Sequence, residues 1–301
     1  MQNRLPKSVR VAGAVQHKRV TERSIAIVET IARYRFLRTR DIVRLVGGNE
    51  DVTHRHLQHL YHRDLINRFT LPAPRNGEFI YFLDNAAGLR QLADSTSLRG
   101  DLLDWDAIRA NREKYGAEAS RSVGRFLFIE HELMISGFHA GIEMTTRKDS
   151  SVGIERWAQG PKLWNTVKVS GGIKLPHRPD ALFTLRFPNA PEGQQRSNFV
   201  YEADRETSNL TRIGQKLEAH LAFFAQARHV EHYGIRKVRA VLVETLSQNR
   251  MEQMRAVASA LAAKAPLAGL LFWFSNTETS MSPFGRRWTC AADERPRSLT
   301  D

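Results

Sequence analysis

The stretch YEADRE, Tyr201 to Glu206, closes an apolar lead-in, Phe199–Val200, with two carboxylates at alternate positions, Glu202 and Asp204. Side chains alternate across a strand, so residues two apart share a face. Glu202 and Asp204 are therefore expected on one side, with Tyr201, Ala203 and Arg205 on the other. Two carboxylates side by side repel unless a positive charge lies between them, and hard divalent cations take oxygen ligands. A third acid, Asp180, follows Pro179 at the head of the preceding run, ALFTLRF. If the two runs are antiparallel neighbours, Asp180 approaches Glu202. A fourth, Glu132 in FIEHELMISGFH, shares a helix face with Phe128 and Ile135. A carboxylate beside an apolar stripe needs a partner. For Glu132 that is either the acidic cluster or a salt bridge to one of the 45 Lys and Arg residues.

The elements that must position these acids are legible around them. SVGRFLFIEHELMISGFHAGIEM has the pattern of a helix, and SVGIERWAQ, PDALFTLRF and SNFVYEADRE have that of three strands. NLTRIGQKLEAHLAFFAQA follows as a helix with Leu210, Ile213, Leu217, Leu221 and Phe224 on one stripe. VRAVLVETLS is a strand, RMEQMRAVASALAAKA a helix and LAGLLFWFS a last strand. The order α-β-β-β-α-β-α-β describes an α/β (α+β) domain with a meander at its start and crossover helices later.

The first third of the chain is different. TERSIAIVETIARYRFL, RTRDIVRLVGG and NEDVTHRHLQHLYHRDLI predict three short helices, and NRFTLPAPRNGEFIYFLD two strands around a turn. This is the winged helix-turn-helix order, in which the third helix enters the major groove of double-stranded DNA. Its outward residues are expected to include Thr53, His54, Arg55, Gln58 and His62, with Arg75 at the wing tip. These are types that reach bases and phosphates. A winged helix used only for protein contacts is the alternative, and charge argues against it. The chain carries a net +13, and residues 1–90 hold 16 Lys and Arg against 8 acids. A nucleic acid is the first polyanion to consider. The four histidines of HRHLQHLYH fit phosphate-facing positions better than a metal site, since no carboxylate completes a set.

Composition excludes several classes. Cys290 is the only cysteine, which rules out an internal disulfide and a Cys-based zinc site within one chain. No apolar run is long enough to cross a bilayer and no h-region marks a secretory signal, so a cytoplasmic protein is expected. There is no phosphate-binding Gly-rich loop and no G-x-S-x-G elbow. The expected organisation is a flexible basic arm (1–20), a winged-helix DNA-binding domain (21–90), a helical connector (91–120), the α/β domain (121–280) and a tail (281–301).

A helix Glu, then Pro179–Asp180, then Glu202 at a strand end, on this frame, resembles the PD-(D/E)xK restriction-endonuclease-like fold. With a winged helix in front, PDALF and FVYEADRETSNLTRIGQKLEAHL are similar to the replication-relaxation family of plasmids and mobile elements, over about residues 20–275. The resemblance implies metal-assisted phosphodiester cleavage, as by a DNA nickase. Asp180, Glu202 and Asp204 would be the metal-binding acids, with Mg²⁺ or Mn²⁺ as the cofactor, and Glu132 would serve a second ion or a water. The wider nuclease pattern places Lys two residues after the strand Glu, where this chain has Asp204. Lys216, on the next helix beside Ile213 and His220, is the candidate replacement. The rival readings are a non-catalytic DNA-binding scaffold that recruits replication or conjugative-transfer proteins, and a transcriptional regulator. Each is compatible with a homo-oligomer.

Overall fold

The computed structural model describes residues 10–11, 19–71, 78–115, 123–278 and 282–301, with side chains from 126 on in the long helix that begins at Val123. The chain forms two compact units, Met1–Ala140 and Gly141–Asp301.

The first unit contains α1 (Glu22–Tyr34), β1 (Leu37–Arg38), α2 (Thr39–Val46), α3 (Glu50–His62), β2 (Asn67–Thr70) and β3 (Phe79–Phe82). Thr21 caps α1 by accepting from Ser24 N, and Asn49 caps α3 by accepting from Val52 N. The three strands form a small sheet in the order β1-β3-β2. Two residues of β1 are too short a run to show as alternation, and this strand went unforeseen. The expected helix-helix-helix-hairpin order is present, closed by that extra strand. Then follow α4 (Ala86–Ser95), α5 (Trp105–Tyr115) and α6 (Val123–Thr146), the last running across the boundary between the units. Within the first unit Phe36, Ile80 and Phe82 cluster with Ile129 and Leu133 of α6.

The second unit contains β4 (Gly153–Gln159), β5 (Asn165–Lys168), β6 (Lys174–His177), β7 (Ala181–Arg186), β8 (Arg196–Ala203), α7 (Leu210–Ala225), α8 (Arg228–Tyr233), β9 (Ala240–Thr245), α9 (Gln248–Ala262), α10 (Leu267–Leu271), β10 (Phe272–Asn276) and β11 (Thr289–Cys290). Its main sheet has the order β11-β10-β9-β8-β7-β4, and β5 pairs with β6 as a separate hairpin. β7 lies antiparallel to β4 and β8, whereas β8, β9 and β10 are parallel. Parallel pairs need crossovers, which α7 and α9 supply. The fold is thus a mixed α/β sheet in the α-β-β-β-α-β order expected. Central strands covered on both faces lose polar alternation, and all six residues of β9 are buried. Ile213, Leu217 and Phe223 of α7 pack with Met251, Met254 and Ala258 of α9 over Leu182, Val200 and Val241.

The β5–β6 hairpin and α8 lie outside the expected order, and two further stretches differ from expectation. LAGLLFWF is a short helix, α10, followed by a strand, because a short apolar run has no period that separates the two. The segment set apart as a tail is folded from Ser282 onward: β11 pairs with β10, and Trp288, Cys290 and Leu299 are buried. At the other margin β4 is bulged between Ile154 and Arg156. Glu155 there accepts from Arg196 Nε (2.9 Å), and Arg156 donates to the Tyr233 carbonyl (2.7 Å). No helix of the described residues is long and apolar enough to cross a membrane.

Candidate active site

Asp180 stands just before β7 and Glu202 is the penultimate residue of β8. The antiparallel register pairs Ala181 with Tyr201. One residue further along, Asp180 and Glu202 face each other across the ladder. Asp180 is fixed there because its Oδ2 accepts from the Ala203 amide at 2.8 Å. Lys216 and His220 lie four residues apart on α7 and so share a helix face. That face covers Glu202. The Lys216 ammonium contacts Glu202 Oε2 and lies 3.8 Å from Asp180 Oδ2. The Lys216 stem is partly exposed while its charged end is enclosed between the two acids.

The other Glu202 oxygen opens a buried string of hydrogen bonds. Glu202 Oε1 lies 2.6 Å from His220 Nε2, and His220 Nδ1 lies 2.9 Å from His177 Nε2. His177 Nδ1 is 3.4 Å from the Tyr233 hydroxyl, which donates to the Leu163 carbonyl at 2.8 Å. The single Tyr233 proton is used on Leu163, so the hydroxyl can only accept from His177. His177 then carries its proton on Nδ1 and accepts at Nε2 from His220. With both rings neutral, the proton between His220 and Glu202 belongs to the carboxyl. The electrostatics agree. Burial, with His220 adding, pushes His177 down to about 2. Burial and the nearby Lys216 charge push His220 down to about 3. Burial raises the Glu202 carboxyl well above its usual range, against the pull of Lys216. Burial also works against the Lys216 ammonium, but Glu202 and Asp180 outweigh it and its pKa rises. Two acids against one cation in a dry site are neutral when one acid keeps a proton, and Glu202 is that acid.

His220 and His177 were not foreseen as part of the site. Replacing His220 by Leu should strand Glu202 Oε1 and His177 Nε2, each costing about 1–3 kcal/mol. His220→Gln, which keeps a polar end toward Glu202, should recover part of that loss in urea unfolding.

Four expectations need correction. Asp204 does not join the cluster, because β8 ends at Ala203 and the alternation stops with it. Its Oδ2 instead accepts from Arg250 Nε at 2.9 Å and from Thr245 Oγ1 at 3.1 Å. Thr53 is fully buried, and its hydroxyl accepts from Arg23 (2.7 Å) and donates to the Asn49 carbonyl (3.2 Å). The buried residues of α3 are Thr53, Leu57, Leu60, Tyr61 and His62. His62 falls at the end of the helix, buried, its Nδ1 accepting from Val11 N at 3.1 Å. His54 and Arg55 are exposed and Gln58 is half-buried. Arg75 lies outside the described residues. Glu132 is buried in the first unit, where Arg35 Nη1 pairs with it at 2.8 Å.

A model of one protein family, described as replication-relaxation, matches residues 28–238. The chain belongs to the replication-relaxation family. Membership gives it a DNA-related role. No curated protein matches the sequence. Among solved structures, restriction endonuclease FokI superposes with 9% identity and a TM-score of 0.29, over 84% of this chain and 42% of its own. The chain therefore spans less than half of that structure, and a superposition this loose does not define the fold.

The resemblance to metal-dependent nucleases can be weighed on the donor set. Among the described residues no group of three or more His, Cys, Asp and Glu side chains forms a metal shell. Asp180 and Glu202 give two hard oxygen donors around a position that already holds the Lys216 ammonium. That set fits an ion such as Mg²⁺, which keeps several waters and needs one or two carboxylates plus substrate phosphate. It does not fit a closed protein cage.

Proposed function

We propose that this family member acts on DNA as a metal-dependent nickase or endonuclease, with its first unit holding duplex DNA and its second unit cutting one phosphodiester. The observation that carries the reading is the convergence of Asp180, Glu202 and Lys216 at one end of adjacent strands. Asp180 and Glu202 would hold Mg²⁺ or Mn²⁺. When bound, such an ion supplies a water of lowered pKa and charge to meet the phosphorane. The other roles fall to the chain. The Ala203 amide fixes Asp180, and His220 fixes the rotamer of Glu202. Lys216, released from the acids, faces the negative charge that grows on the phosphate. Exposed His54 and Arg55, with Gln58 beside them, would meet the duplex, and the net +13 would add salt-sensitive affinity.

A specific feature also favours the scaffold reading: the place of the cation is already taken by Lys216. One assay separates the two. Purified protein should nick or relax supercoiled plasmid with Mg²⁺ or Mn²⁺, and Asp180→Ala should stop it while DNA binding persists. If no metal concentration gives cleavage by the unaltered protein, the nuclease reading fails and the scaffold reading stands.

A further inference from the structure

The β5–β6 hairpin runs directly into Asp180, and apart from His177, which faces His220 from the end of β6, its residues have no role in the arrangement described so far. From Trp157 to Pro179 the chain has no Asp or Glu, yet it carries Lys162, Lys168, Lys174 and Arg178. The hairpin has two unlike faces. Leu163, Val167 and Leu175 turn into the core against α7. Trp164, Thr166, Lys168, Lys174, Pro176 and Arg178 are exposed. Lys168 and Lys174 are direct cross-strand partners, as are Thr166 and Pro176. Like charges directly opposed on a sheet destabilise it, so this pair costs stability. At the other end of the same strip Trp164 is 46% exposed, with the Arg178 guanidinium 5.0 Å from its ring. An exposed indole backed by a cation is a stacking platform for an unpaired base. Trp164 and Lys168 are four residues apart, roughly 13 Å along a strand. That is room for a base on the platform and backbone phosphates between the two lysines.

We propose that the outer face of the β5–β6 hairpin binds single-stranded DNA, with a base on Trp164 and Arg178 and the backbone between Lys168 and Lys174, and leads that strand toward Asp180. The strand binding rests on the hairpin alone; only its delivery for cleavage rests on the function proposed above. A duplex has no free base face to offer Trp164, so the strip selects the unpaired strand.

The test uses the full chain with EDTA present, so that cutting plays no part, and fluorescence anisotropy of a labelled dodecathymidylate. Trp164→Ala should weaken binding roughly 5- to 150-fold, the range for one base–aromatic stack. Lys168→Glu with Lys174→Glu should weaken it further and lower the salt slope by about 1.4, or 0.7 for each lost phosphate contact. Lys174→Glu alone turns the repulsive pair into an attractive one, so it should raise the unfolding temperature while lowering affinity. Affinity equal to that of the parent in both the Trp164→Ala and the double-Glu variants overturns the proposal. Absence of nicking by the unaltered protein, with strand binding and its loss in the variants intact, sinks the nuclease reading and leaves this one standing.

Discussion

Lys216→Met is expected to lower metal-dependent nicking of supercoiled plasmid by about 10²–10³-fold, the usual loss when one preorganised charge aimed at a transition state is removed. The ammonium is the one cation seated on both Asp180 and Glu202 among the described residues. Methionine keeps the stem and its packing and deletes only the charge. The fold should survive, because Glu202 is held by His220 and Asp180 by the Ala203 amide. Lys216→Arg separates charge from position: it keeps the cation but carries a wider head into an enclosed space, and should recover only part of the rate. Initial rates from gel densitometry, with anisotropy on the same DNA, distinguish a loss of chemistry from a loss of binding. Lys216→Met that nicks as fast as the parent would leave Lys216 a structural counterion only.

The second large effect concerns stability. Arg287→Met should cost about 3–5 kcal/mol, the range for breaking a buried ion pair by removing one partner. Arg287 and Glu244 are each 6% exposed and paired. Arg287 also donates to Ser275 Oγ (2.7 Å) and the Asn276 carbonyl (3.1 Å), while Tyr201 donates to Glu244 at 2.7 Å. The site thereby ties the C-terminal segment to β9 and β10 from the face of β8 opposite Glu202. Removing the arginine leaves Glu244 buried without its ionic partner. Urea unfolding should show the loss, and Glu244→Gln added to Arg287→Met should restore much of it. Limited proteolysis should cut the single variant within 282–301 far faster than the parent.

How much of this was legible beforehand depends on what kind of signal each residue leaves. Asp180 and Glu202 were readable because a carboxylate at the end of an apolar strand is costly and stands out. Lys216 was readable only through the resemblance, since a lysine on an amphipathic helix is ordinary. His220 and His177 left no signal: a neutral imidazole on an apolar face resembles any core residue, and only coordinates show the two rings in line with Glu202. Asp204 misled because alternation holds only while the strand lasts, and one residue decided it. Thr53 misled because its hydroxyl suits a groove-facing position as well as the buried, hydrogen-bonded one it takes. The C-terminal segment misled because its anchors are single buried residues, Arg287, Trp288 and Leu299, spread through polar sequence with no period.

The bulge in β4 has a consequence for how copies of this chain meet in a crowded solution. An outermost strand is an invitation to an intermolecular ladder, and long flat ones seed fibrils. Here the extra residue at Glu155 breaks the rhythm of amide groups, and the flanking Glu155 and Arg156 side chains are already engaged. At the far margin β11 offers only two residues. Neither side presents a straight ribbon to a second molecule, so if the protein self-associates, strand-to-strand zippering of this sheet is a poor way to do it.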